Sequence, residues 1–180
     1  TAELVAALYD AADIPYDTNA AEFLYVAIAT DTGSFRYPNT RPETHALAAR
    51  LLATGIDTGS ISHRLFDSMP AERFQMLVRV LNRMAFTANG RIAYSHVVLN
   101  DLRETGATGD DISELVNFGR SVRGVAVAVM FRELERCSTK VSFRSLNDFD
   151  CAQAARFFGG GGHHGAAGAT IQMPLAMARK

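Results

Sequence analysis

The chain has 180 residues, 48% of them apolar and 21% charged, with a net charge of −1. That is material for one ordinary domain or two small ones, and the near-zero charge excludes a protein that coats long nucleic acid by bulk electrostatics while leaving room for a local basic pocket. No apolar run approaches the ~18 residues of a membrane span, and no basic stretch precedes an apolar one as in a secretion signal.

Apolar Leu4, Val5 and Leu8 give Thr1–Leu8 a helical spacing. The chain opens on Thr1 inside this pattern and stops inside another, PLAMARK, so we expect a piece of a longer chain. Asp17–Asn19 supplies capping residues for a second apolar helix, Ala20–Ala29. The turn-rich stretch TDTGSFRYPNT follows. Thr40-Arg41-Pro42-Glu43 reads as a capping box with proline in the first turn, opening a helix that runs to Thr54 and ends at Gly55. Ser60–Asp67 looks like a short helix.

Pro70–Met84 is a long amphipathic helix with Phe74, Leu77, Val78 and Leu81 on one face, a good connector between two domains. Asn89-Gly90 is a turn signal, and the pattern changes after it. Arg91–Leu99 is β-rich and Ser113–Arg120 helical. Val125–Arg132 and Lys140–Arg144 read as strands of a hairpin across Glu133–Thr139. Phe149–Phe158 is a helix that leads into a glycine run, and Ala169–Met173 fits a last strand. The expected organisation is therefore an α-rich first part, residues 1–68, a connector helix, residues 69–88, and an α+β second part, residues 89–180. The two cysteines, Cys137 and Cys151, make neither a metal pair nor a disulfide framework, and a reducing cytoplasm suits them. Cys151 reads as a small core residue.

Gly159–Gly168, GGGGHHGAAG, carries the strongest chemical signal. Consecutive glycines cost backbone entropy and pack nothing, so they make sense where backbone must approach a ligand. Exposed N–H groups at Gly160, Gly161 and Gly162 would form an anion nest, and His163 and His164 add side-chain donors. A flexible linker would favour Ser, Thr or charge around the glycines rather than His-His and Ala-Ala. Arg144 leaves the core face of its strand and could clamp a phosphate bidentately, with Ser145 adding a hydroxyl. Asp31 sits at the end of an apolar helix, against the dipole, where either a metal ion or an Asx-turn accounts for it. His45, His63 and His96 lack partners at ligand spacing and read as surface or structural histidines.

The glycine–histidine motif with an upstream strand ending in FRS resembles the DHH-associated C-terminal domain of DHH phosphoesterases. ATDTGSFRYPNTRPETHALAARLLATG is similar to the closing portion of the DHH domain itself, and its TDTGSFRY segment excludes the alanyl-tRNA synthetases that share the glycine motif. ELVNFGRSVRGVAVAVMFRE is similar to the nanoRNase/pAp phosphatase branch. The resemblance implies an α/β protein, in which the α-rich end of a DHH domain is joined by a long helix to a smaller α+β substrate-binding domain.

It also implies hydrolysis of short oligoribonucleotides to mononucleotides, or of 3′-phosphoadenosine 5′-phosphate to AMP. Two divalent ions, manganese or else magnesium, would activate water and clamp the phosphate. Asp31 matches the family's last metal-binding aspartate. Arg144, Ser145, Gly160, Gly161, Gly162, His163 and His164 match its substrate grip, in a cleft that measures a short substrate. A homodimer and short RNA or nucleotide phosphates are the partners implied. Phosphodiesterase action on linear or cyclic dinucleotide signals and non-catalytic nucleotide binding are the competing readings.

Two departures stand out. The Asp-His-His motif and the earlier paired aspartates are absent, and the adjacent histidines, His163-His164, belong to the other domain. One aspartate cannot hold two ions, so the missing ligands are expected before Thr1 and the chain alone is expected not to hydrolyse phosphoesters. His164 stands where many relatives carry lysine; histidine is mostly neutral at pH 7, so affinity would fall as pH rises.

Overall fold

A computed structural model describes residues 1–146 and 149–179; Lys180, the last residue of PLAMARK, lies outside them. The fold is mixed α/β and divides into two compact units, Thr1–Ser68 and the residues from Met69 onward.

The first unit is helical: α1 (Ala2–Ala11), α2 (Thr18–Asp31), α3 (Pro42–Leu52) and α4 (Thr58–Ser62), the last running into a π-helical turn at His63–Asp67. Asp17 caps α2, its Oδ1 accepting from Ala20 N–H at 2.7 Å. Leu24, Ile28, Leu47, Leu51 and Ile61 make the core. The apolar spacing of α1 does not mark its buried side. Leu4 and Leu8 are 72% and 68% exposed, and Ala6 is the buried residue. The start of α3 is shifted by one from expectation. Arg41 is the N-cap, Pro42 the first helical residue, and Thr44 Oγ1 accepts from Arg41 N–H at 3.3 Å. Gly55, with φ +86°, turns the chain after α3.

The second unit is a six-stranded sheet with helices on both faces: α5 (Ala71–Asn82), β1 (Ala85–Thr87), β2 (Ile92–Val97), α6 (Leu99–Thr105), α7 (Gly109–Ser113), α8 (Val116–Arg120), β3 (Val127–Glu135), β4 (Ser138–Ser145), α9 (Cys151–Phe157), β5 (Gly161–His163), β6 (Ala166–Ile171) and α10 (Leu175–Ala178). The strand order is β1-β2-β3-β4-β6-β5, with β2 and β3 parallel and the other pairs antiparallel. Alternation along the strands feeds two cores. Ala93, Val97, Ala128 and Met130 pack with α5 to α8, while Val127, Val141, Phe143 and Ala167 pack with Cys151 and Ala155 of α9.

The expected connector helix is corrected in two ways. It ends at Asn82 and residues 85–87 are a strand, and it buries Met76, Leu77 and Val80 in the second unit's own core. Phe74, Val78 and Leu81 are exposed, because this helix has apolar residues on two sides and the i, i+4 row through Met76 and Val80 meets the sheet. No helix among the described residues is long and apolar enough to cross a membrane.

Candidate phosphate-binding face

The site is built on β4, whose pleat sends alternate side chains to opposite faces. Val141 and Phe143 go down into the α9 core. Lys140, Ser142 and Arg144 go up. Residues directly opposite across antiparallel strands share a face. Arg144 pairs with Ala166, and Ala166 with His163. Ser142 pairs with Gly168, and Gly168 with Gly161. On the other side, Lys140 pairs with Arg132. The upper face therefore has a floor of small residues, with Arg144 and His163 in one row and Arg132 and Lys140 in another.

A pocket of about 70 Å³ opens there, lined by Gly109, Ser113, Arg132, Lys140, Ser142 and Arg144. Arg144 Nη1 donates to Phe143 O at 3.1 Å, and Arg132 Nη1 to Gly109 O at 3.1 Å. The ion pairs of the described residues involve Arg41, Arg50, Arg64, Arg79 and Arg83, and none of the three cations of this face. Cations massed without carboxylates make an anion site.

The glycine run contributes in a different way from the one expected. The N–H groups of Gly159 and Gly160 close the end of α9 by donating to Arg156 O at 3.0 Å and Ala155 O at 2.8 Å. Gly161–His163 is an edge strand paired with β6, and His164-Gly165 is the turn of that hairpin. Only alternate N–H groups of β5 face away from β6, so the run is not an open nest. Two glycines are needed for close approach. A Cβ on Gly160 would lie 2.2 Å from Gly168 O, and one on Gly162, at φ +144°, 2.5 Å from Ala167 Cα. Gly161 meets nothing within 4 Å and lies open above the floor.

Ser145 corrects the sequence reading. It is buried, and its Oγ donates to Phe149 O at 2.7 Å, on the face opposite Arg144. The pleat separates adjacent residues, so its hydroxyl does not join the grip. His164 is exposed, and its carbonyl accepts from Cys151 N–H at 2.8 Å at the start of α9.

Asp31 ends α2 and is exposed in the wall of a larger cleft, about 710 Å³, shared with Glu3, Thr30, Asn39, Arg41 and Thr44. The Asp31 carbonyl accepts from Asn39 Nδ2 at 3.2 Å. Glu3 is held by Thr44 and Arg41, and the Thr44 hydrogen bond, followed by Arg41, keeps its carboxyl below the usual range. Just after Asp31 the backbone is left-handed at Gly33, Ser34 and Phe35, with φ of +56°, +58° and +62°. Thr32 Oγ1 pins this turn, donating to Ile28 O at 2.7 Å and accepting from Phe35 N–H at 3.0 Å. Strain of this kind concentrates at functional sites.

Among the described residues no three of His, Cys, Asp or Glu gather as metal ligands, so Asp31 offers one carboxylate and the residues present do not fit a two-ion centre. Of the remaining histidines, His45 stacks on Phe35 at 5.0 Å, and the pKa of His96 is lowered by burial, then by Arg179 and Arg83.

Residues 89–179 match the DHHA1 domain. A bifunctional oligoribonuclease and PAP phosphatase NrnA from Thermus thermophilus is 34% identical over 172 residues, 96% of this chain and 51% of that protein. The Bacillus subtilis protein of the same name is 29% identical over 155 residues, 86% of this chain and 48% of its own. An exopolyphosphatase-related protein from Bacteroides fragilis, known by crystal structure, superimposes with a TM-score of 0.89 at 28% identity, over 99% of this chain and 53% of that one. The chain thus spans about half the length of each of these three proteins. With the DHHA1 match taking in just over half of its residues, the chain belongs to the DHH family.

Proposed function

We propose that this chain is the substrate-gripping part of a phosphoesterase that acts on short oligoribonucleotides and on nucleotides such as 3′-phosphoadenosine 5′-phosphate. The observation that carries the reading is the row Arg144–Ala166–His163 beside Gly161, which is open, and Gly168, which is packed against the Val141 carbonyl. A guanidinium without an ion pair takes a phosphate through two parallel N–H donors. The small residues beside it let a flat base or sugar lie close to backbone. The names of the Thermus and Bacillus relatives support the same substrates.

In this reading Asp31 gives one carboxylate to a divalent ion, manganese above all. A dinuclear centre needs further ligands beyond those the described residues bring together, so no hydrolytic step is derived from this chain. Its own residues bind and orient: Arg144 and His163 hold a phosphate, and Gly160 and Gly162 keep β5 pressed on β6 so that Gly161 stays at the right depth.

The test is titration of the chain with 3′-phosphoadenosine 5′-phosphate and the dinucleotide pApA by calorimetry. Saturable binding that weakens tenfold or more in Arg144→Ala is expected. Equal binding by the variant would remove the assignment.

A further inference from the structure

Arg132 and Lys140 stand directly opposite each other across β3 and β4. Two like charges in that position repel and destabilise the sheet. Arg144 lies on the same face, four residues along β4 from Lys140, about 14 Å at the rise of an extended strand. No carboxylate of the described residues pairs with any of the three. Of the acidic residues just after Gly109, which bonds Arg132, Asp111 is occupied by the hydroxyl and N–H of Thr108. Gly109 lies against the end of Arg132: its carbonyl accepts from Nη1 at 3.1 Å. No ion pair of the described residues offsets this repulsion, and an anion arriving from outside would relieve it.

We propose that Arg132 and Lys140 form a second phosphate subsite, which receives the later phosphates of an oligonucleotide whose first phosphate sits at Arg144. The inference rests on the function proposed above and deepens it by naming what measures substrate length. A mononucleotide engages Arg144 and His163 alone. A trinucleotide runs along β4 over Ser142 and reaches the cationic pair. The pair thereby favours three-residue substrates over single nucleotides, with no base contact and hence no sequence preference.

The experiment measures the affinities of the whole chain for AMP and for pApApA across a salt series, in the wild type, Arg132→Gln/Lys140→Gln and Arg144→Ala. Wild type should bind pApApA at least tenfold more tightly than AMP, with a logarithmic salt slope steeper by about 1.4, the value for two further single-strand phosphates. The double variant should erase that gain, lower AMP affinity far less than pApApA affinity, and melt no lower than wild type, since it removes repulsion. The swap Arg132→Lys/Lys140→Arg should keep the gain. Equal wild-type affinities for AMP and pApApA overturn the proposal, as does a double variant that weakens both ligands alike. A hexaglutamate peptide that binds as tightly as pApApA also overturns it, because the face would then read charge in general. If AMP and pApApA both fail to bind, the proposed function falls together with the subsite; if AMP binds and pApApA gains nothing, the subsite alone falls.

Discussion

Arg144 and Ser145 are neighbours in β4 that face opposite sides of the sheet. Arg144 looks onto the cationic face, while Ser145 is buried and ties the strand to Phe149 through a 2.7 Å hydrogen bond. The pair separates binding from support. Arg144→Ala should weaken binding of a nucleotide phosphate by about 1.5–3 kcal/mol, the range of a charge-assisted hydrogen bond, with the melting temperature unchanged. Ser145→Ala should do the reverse: it loses about 1–2 kcal/mol of stability through the orphaned carbonyl and keeps its affinity. Calorimetric titration beside denaturant unfolding distinguishes the two, and a Ser145→Ala chain that is stable but cannot bind would return the hydroxyl to the grip.

The glycines of β5 make a second contrast. Gly160→Ala and Gly162→Ala drive a Cβ into β6 and should each cost about 2–4 kcal/mol, from overpacking and, at Gly162, from its positive φ. Gly161→Ala meets open space and should fold normally. Its methyl group rises from the floor, so affinity for nucleotide phosphates should drop several-fold. Equal stability of all three variants in urea would contradict the packing described.

Asp101 predicts an acid transition. Its carboxyl is buried, which by itself raises the pKa, but Arg83, the Val98 N–H and Arg79 outweigh this and hold it at about 2. A folded pKa below the unfolded value near 3.9 means that the stabilisation is complete above that value and is lost as pH falls towards 2. About 2 kcal/mol should disappear over this window, measured as urea midpoints at pH 5 and pH 2.5. Asp101→Asn should lose about 2 kcal/mol at neutral pH and flatten the acid dependence, since it leaves Arg83 without a carboxylate and Arg79 with Glu104 alone.

In the first unit, Gly33→Ala would put a Cβ 2.4 Å from the Tyr37 ring and should destabilise that unit by about 2 kcal/mol. Ser34→Gly should act in the opposite direction by about 0.5–1 kcal/mol, because left-handed φ penalises serine more than glycine's added chain entropy costs. Hydrogen exchange of the amides around Thr32 reports both changes, and slower exchange in Gly33→Ala would refute the first.

Much of this was legible in the sequence because it is local. The hairpin across Glu133–Thr139, the helix before the glycine run and the cap at Asp17 follow from neighbouring residues, and the structure has each. The direction of Arg144 followed from alternation. Ser145 was misplaced by being read as part of a motif when the same alternation sends it to the other face. The facing pair Arg132 and Lys140 went unread although a hairpin centred on residue 136 sets them opposite. The exposed face of α5 was out of reach, because Phe74 and Met76 are equally apolar and only the position of the sheet decides which is covered. The spent N–H groups of Gly159 and Gly160 depended on where α9 stops, which is a three-dimensional fact.

The sheet ends on either side in a strand of three residues, Ala85–Thr87 and Gly161–His163. A bare sheet edge invites any extended peptide to pair with it and is a common start of aggregation. In the function proposed above, the glycine end needs backbone uncovered for a nucleotide, which a helix over that edge would hide. Brevity solves the conflict: three residues suffice to flank a phosphate and are too few to hold a foreign strand, which lets an open ligand edge persist in crowded solution.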